Sequence, residues 1–186
     1  MMAKRAVDLA IALAALAVLS PVLLATAVAV MLESGRPVLF RQVRLGRGGR
    51  EFGMYKFRSM VQDAAAIGPY HTRVDDPRIT RVGRFIRRTS LDELPQLFNV
   101  LLGDMSLVGP RPDVPAQRAL YAPADWETRC SVRPGITGLA QATLRSAATE
   151  SQRLALDLQY VREQSLWLDL RIIGWTLGRL TGKGSN

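Results

Sequence analysis

The chain opens on a long apolar run, with no charged residue between Leu9 and Leu32. About 24 residues at about 1.5 Å each are enough to cover a bilayer core of roughly 30 Å, so the pattern predicts a membrane helix. Ser20-Pro21 falls at its midpoint. Proline removes a backbone donor and crowds the carbonyl one turn back, dividing the run into two arms of about 18 Å, each too short to cross. Lys4 and Arg5 precede the run, and Arg36, Arg41, Arg44, Arg47 and Arg50 follow it. Both flanks therefore carry the charge that marks the cytoplasmic side. A re-entrant helix that bends at Ser20-Pro21 and returns to the same face satisfies both, with the Ser20 hydroxyl serving freed backbone groups. A single spanning anchor is the alternative. A signal peptide is disfavoured, because the apolar run continues past the cleavage-like Ala25-Thr26-Ala27.

The pattern then shortens. Val38 to Arg44 and Glu51 to Phe57 are β-favouring stretches around Leu45-Gly46-Arg47-Gly48-Gly49, which predicts a hairpin. Gln62 to Ala66 reads as helix, followed by a polar loop from Gly68-Pro69 to Asp75-Asp76-Pro77. From Ile79 to Arg88, Val82, Phe85 and Ile86 recur at helical spacing, with Arg81, Arg84 and Arg88 on a neighbouring face. The next helix opens near Ser90 or Asp92 and runs through Leu94, Leu97, Phe98 and Leu101 to Gly103. Val108 to Pro112 and Val132 to Gly138 read as rigid turns. Gln152 to Leu180 is helical in two pieces divided near Ser165, the second an amphipathic helix at the interface or an ordinary core helix. The fold class expected is an α/β-type membrane-associated domain, mostly helical, with residues 1–35 the membrane helix and 36–186 a cytoplasmic catalytic domain.

Charge sharpens this picture. Across 186 residues, 25 Lys+Arg against 16 Asp+Glu leave +9, which points to an anionic partner such as nucleic acid, anionic lipid or a phosphorylated substrate. One cysteine, Cys130, and one histidine, His71, exclude an internal disulfide and a Cys/His zinc cluster. Cys130 is expected to be a small packed residue and His71 a loop residue.

The candidate chemistry is concentrated in Ser90-Leu91-Asp92-Glu93-Leu94-Pro95-Gln96, just after Arg81, Arg84, Arg87 and Arg88 and before Gly109-Pro110-Arg111-Pro112. Guanidiniums beside a carboxylate pair suit phosphoryl chemistry: cations hold phosphate oxygens, and an acid attacks or holds metal. The bland reading of Glu93 is a capping box with Ser90. Arg111 and Arg133, each flanked by proline or glycine, are clamp candidates with little freedom to lose on binding phosphate.

At these residues the chain resembles the small monotopic phosphoglycosyl transferases, the bacterial sugar transferase family that starts glycan assembly on a polyprenol carrier. The likeness runs through Lys4-Arg5-x-x-Asp8, Ser20-Pro21, Tyr55 to Met60, Asp76-Pro77-Arg78, Ser90 to Gln96, Asn99-Val100-Leu101, Gly103 to Ser106, Val108 to Pro112 and Arg133 to Gln141. The resemblance implies transfer of a sugar-1-phosphate from a UDP-sugar donor to polyprenol phosphate, with release of UMP. It implies Mg2+ dependence and a place on the cytoplasmic face of the bacterial inner membrane. By the same resemblance Asp92 is the nucleophile, kept ionised by Arg87 and the helix start, and Glu93 supports it in metal binding or proton handling. Both are candidate metal ligands. Arg87, Arg111 and Arg133 are the first phosphate-binding candidates; Lys56, Arg58 and Arg145 follow, with anionic headgroups as their alternative ligand. Relatives often show Val-Asn-Gly-Arg where this chain has Ala142-Thr143-Leu144-Arg145, which leaves sugar preference and the alignment of Arg145 open. Lacking the helices and sensory domain that larger members place before this unit, the chain reads as a minimal catalytic form; a homodimer and the lipid bilayer are further expected partners, and nucleic acid is not. The competing functions are a basic membrane-bound scaffold without turnover and a metal-dependent phosphatase or hydrolase.

Overall fold

A computed structural model describes residues 2–64, 76–144 and 149–180. Helix α1, Met2–Ser34, runs without interruption through Pro21. The reason is local. Proline has no N–H for the carbonyl of Ala17, and the Ser20 hydroxyl donates to that same carbonyl at 2.9 Å. Continuity through the Ser20-Pro21 step thus replaces the non-helical bend that the sequence leads one to expect. Among the described residues α1 is the one helix long and apolar enough to cross a membrane.

One stripe of α1, at Asp8, Ala12, Thr26 and Val30, is buried at helical spacing, while Leu13, Val18, Leu24 and Leu32 stay exposed. Both ends are tied to the remainder of the chain. At the first, Lys4 pairs with Asp169 at 2.6 Å, and the Arg5 guanidinium donates to the carbonyls of Val100 (2.7 Å) and Leu101 (3.2 Å). At the other, the Glu33 carboxylate accepts from the backbone N–H groups of Arg81 and Val82, both at 2.8 Å.

The hairpin forms where expected: β1, Leu39–Leu45, pairs antiparallel with β2, Glu51–Phe57, with Leu39 opposite Phe57 and Leu45 opposite Glu51. Gly48 and Gly49 take positive φ in the turn between them (67° and 72°), the region glycine enters without a steric penalty. Helix α2, Arg81–Arg88, is capped by the Thr80 hydroxyl and packs Val82 and Ile86 against Val30 and Phe57. Helix α3, Gln96–Leu102, meets β2 through Asn99, whose fully buried amide accepts from Tyr55 N–H (2.9 Å) and donates to the Gly53 carbonyl (2.8 Å).

The sequence reading of 132–138 as a turn needs correction. Gly135–Thr137 is a short strand, β4, parallel to β3, Ser106–Val108, with Ser106 opposite Gly135 and Val108 opposite Thr137. The glycines serve close approach: a Cβ on Gly135 would lie 2.1 Å from the Gly109 nitrogen, so only bare backbone fits between the two segments. Helices α4 (Pro123–Cys130), α5 (Leu139–Thr143), α6 (Glu150–Glu163) and α7 (Leu166–Leu180) complete the chain. The break near Ser165 is present, and α7 carries both alternatives set out for it. It buries Ile172 completely in a core shared with Ala12, Met54, Val100 and Tyr160, yet exposes Trp167, Leu170 and Leu177. Cys130 packs with Leu45 and Trp126, as a small core residue. The helix expected over Gln62–Ala66, its following loop and His71 lie wholly or mostly outside the described residues. The described residues are mostly helical, with a long apolar first helix and two small sheets.

Candidate active site

The helix expected to open at Ser90 or Asp92 begins at Gln96. Ser90 adopts a left-handed conformation (φ 57°), which turns the chain out of α2, and Leu91–Glu93 form one tight 3₁₀ turn. The capping box does not form, because the Ser90 side chain makes no cap bond and the Glu93 carboxylate points elsewhere. Glu93 Oε1 accepts from Lys56 Nζ at 2.7 Å and from Arg111 Nη2 at 3.2 Å. Lys56 comes from β2, Arg111 from the segment after β3, and Glu93 from the 3₁₀ turn, so three distant stretches meet on one oxygen.

This arrangement drives the two neighbouring carboxyls in opposite directions. Asp92 is 8% exposed, and its burial pushes the carboxyl above the ordinary aspartate range; Lys56 opposes the rise, Glu93 adds to it, and Arg87 opposes it again. Arg87 thus acts in the sense expected, but the net direction is upward, and Asp92 sits ahead of α3 instead of in its first turn. For Glu93 burial also pushes upward, yet the charges and hydrogen bonds of Arg111 and Lys56 outweigh it and bring the carboxyl down to about 2. A carboxyl held so far below neutrality stays ionised and keeps both cations beside it. Adjacent acids pushed apart in this way are assigned separate tasks by their surroundings.

Of the other expected phosphate ligands, Arg87 is held beside the pair by its Nε bond to Ser59 Oγ at 2.8 Å. Arg111 keeps a side chain 49% exposed, open to an incoming anion. Arg133 donates through Nε to the carbonyl of Gly103 at 2.8 Å and makes no ion pair with either acid. Arg58 is buried and caps the end of α1, donating to the Ser34 carbonyl, to Ser34 Oγ at 3.1 Å and to the Gly35 carbonyl at 2.6 Å. All three bonds come from Nη2, while Nε and Nη1 are buried without a hydrogen-bond partner. Arg145 lies outside the described residues.

The segment that presents Arg111 is bonded along its backbone. Gly109 N–H donates to the Thr137 carbonyl (2.9 Å), and the Pro110 carbonyl accepts from Gly135 N–H (2.9 Å). The Arg111 carbonyl accepts from Arg129 (2.6 Å), that of Pro112 from Arg44 (3.0 Å), and that of Asp113 from Leu45 N–H (2.8 Å). The sequence reading quoted Ser59 and Asn99 within family motifs without giving them a role, and did not single out Arg129; their signal is a polar side chain at an inward-facing helical or strand-end position, visible only once the facing element is known.

Among the described residues no group of three or more His, Cys, Asp or Glu side chains converges. A site made of Asp92 and Glu93 alone fits magnesium, which binds through one or two carboxylates and keeps its remaining positions for water and substrate phosphate. Both cations on Glu93 fall on Oε1, leaving Oε2 as a second acceptor.

The family model described as bacterial sugar transferase matches residues 1–183. The chain is 47% identical, over 96% of its length, to an undecaprenyl-phosphate glucose phosphotransferase of Komagataeibacter xylinus, and covers 36% of that protein. It is 46% identical, over 98% of its length, to a UDP-N-acetylgalactosamine-undecaprenyl-phosphate N-acetylgalactosaminephosphotransferase of Aeromonas hydrophila, covering 44% of it. A third relative, the exopolysaccharide production protein PSS of Rhizobium leguminosarum bv. phaseoli, is 47% identical, with 97% of each chain covered. The chain therefore spans about two fifths of the first two relatives and nearly all of the third.

Proposed function

The chain belongs to the bacterial sugar transferase family, and we propose that it transfers a sugar-1-phosphate from a UDP-sugar to undecaprenyl phosphate with release of UMP. In this reading an Asp92 carboxylate oxygen attacks the sugar-bearing phosphorus of the donor. The bond from that phosphorus to the bridging oxygen breaks, its electrons leave with UMP, and an aspartyl-phosphosugar remains. An oxygen of the lipid phosphate then attacks the same phosphorus, displaces the carboxylate, and yields the lipid diphosphate-sugar. Dividing the transfer into two displacements keeps the two polyanionic substrates from having to meet directly.

The observation that carries the proposal is the split pair. Asp92 is buried with no cation at ion-pairing distance among the described residues, so its charge is poorly compensated and available for attack. Glu93 stays ionised and holds Lys56 and Arg111 beside it, where their charge meets the donor diphosphate. Magnesium, held by Asp92 and Glu93 Oε2, would neutralise diphosphate charge there. Arg87, fixed by Ser59, lies near enough to Asp92 to act on its charge and suits the transferred phosphoryl oxygens.

The membrane reading accompanies this one: α1, helical through Pro21, dips into the cytoplasmic leaflet with both of its ends on the cytoplasmic face, leaving the site on that face of the inner membrane. It is supported by the two ends of α1, which are both tied to the same body of the protein. Cysteines at residues 2 and 48 in a Cys130→Ser background should label from one side of the membrane; labelling from opposite sides refutes the re-entrant course.

Labelled UMP and magnesium, given to the full chain with UDP-glucose or UDP-N-acetylgalactosamine and no lipid acceptor, should produce labelled UDP-sugar. Intact mass spectrometry should find a phosphosugar adduct that Asp92→Asn lacks. Undiminished exchange by Asp92→Asn overturns the mechanism.

A further inference from the structure

We propose that Arg129, outside the carboxylate site, is a positioning residue that fixes where Arg111 meets the donor diphosphate; this rests on the transferase reading above. Arg129 lies on α4 and is 6% exposed, and its guanidinium is divided among three partners on two segments. Nε donates to Asp157 on α6 at 2.9 Å, Nη1 pairs with Asp113, and Nη2 donates to the backbone carbonyl of Arg111 at 2.6 Å. The Tyr121 ring lies 5.3 Å from its central carbon, with its hydroxyl close enough to Asp113 to oppose the rise of that carboxyl.

A buried ion cluster is seldom the most stable way to fill its space, since apolar packing of similar volume often does as well or better. What the cluster supplies is direction. A planar fork bonded at three points leaves its last arm one orientation, and that arm ends on the carbonyl of Arg111 itself. The adjoining carbonyls of Pro112 and Asp113 are held by Arg44 and Leu45 of β1. Because β1 pairs with β2, which carries Lys56, the two cations on Glu93 Oε1 are set against one frame, closed on its far side by Arg129. Lysine in place of Arg129 keeps the charge but offers a point donor, which cannot hold Asp157, Asp113 and the Arg111 carbonyl in one plane.

The test is a double-mutant cycle on the full chain between Arg129→Lys and Arg111→Ala, read as KM for UDP-glucose and as UMP affinity by calorimetry. Arg129→Lys should raise KM and weaken UMP binding about tenfold, the scale of one charge-assisted hydrogen bond, with kcat changing less. In the Arg111→Ala background the same replacement should add little, because its effect passes through Arg111. Tyr121→Phe, a milder change on the same cluster, should produce a smaller shift of the same kind and serves if Arg129→Lys does not fold. Equal effects of the Arg129 and Tyr121 variants with and without Arg111, or a lowered melting temperature with KM and UMP affinity unchanged, overturn the proposal. If UMP binding follows the cycle while no UDP-sugar is turned over, the positioning role stands and the transferase reading falls. A wild-type protein that neither binds UMP nor turns over donor overturns both.

Discussion

The Glu93 and Arg129 clusters are built from the same ingredients and behave as opposites. Around Glu93 two cations share one carboxylate oxygen, one of them remains half exposed, and the carboxyl is drawn down to about 2. Around Arg129 one cation is shared by two carboxylates, all three are buried, and burial pushes both Asp113 and Asp157 upward despite the guanidinium beside them. The first has cationic capacity to offer an anion, whereas the second has its donors consumed within the protein. Arginine count therefore says little about phosphate binding; exposure and remaining donors decide it.

The sharpest break in this comparison is at Asp92. Asp92→Asn should lower UMP exchange by about 10³-fold or more, as expected for loss of a nucleophile. In metal-free buffer at pH 7 it should also melt higher than wild type. Because the folded carboxyl titrates above its unfolded value, its ionisation opposes folding; the difference should be complete above the folded value, shrink as pH falls between the two, and vanish below the unfolded one. A lower melting temperature for the asparagine variant at pH 7 contradicts the upward shift.

Next comes a contrast between the clusters. Arg129→Ala leaves two buried acids uncompensated and should lower unfolding free energy by about 3–5 kcal/mol in denaturant titration. Arg111→Ala should change it by no more than about 0.5 kcal/mol, while donor turnover falls about 10²-fold. Equal stability losses erase the distinction between the two sites.

Glu93→Gln should lower stability by about 2 kcal/mol near neutrality, through the lost charge-assisted bonds to Lys56 and Arg111. The folded surroundings bring the Glu93 carboxyl down to about 2 from its ordinary 4.5. The stabilisation is thus complete above 4.5 and is lost as pH falls towards 2, so wild type and variant should converge there. A gap that persists in acid assigns the loss to packing.

The smallest effect is at α1. Ser20→Ala removes the donor that serves the Ala17 carbonyl opposite Pro21 and should cost about 0.5–1.5 kcal/mol in detergent. A neutral result means that Pro21 alone sets the local geometry.

Much of the fold is readable from local pattern. The apolar run of α1, the glycine turn of the hairpin and the break near Ser165 follow from residues close together in the chain, and each lies where the pattern places it. The errors share one cause. Ser90-x-x-Glu93 has the spacing of a capping box, but Lys56 and Arg111 hold Glu93 from outside the segment. Val132 to Gly138 has turn composition, but its glycines serve a parallel pairing with β3. In each case a partner distant in sequence outweighed a local preference.

By itself the sequence determined that a membrane-length apolar helix precedes a mostly helical domain, and that adjacent acids lie among many arginines. Those properties depend on side-chain order over a few residues, where backbone periodicity alone places neighbours. Tertiary structure decided which arginines reach the acids, which are consumed elsewhere, and in which direction each carboxyl titrates. Charge interactions and desolvation act over a few ångströms, and at that range the neighbours of Asp92 and Glu93 come from β2, α2 and the segment after β3.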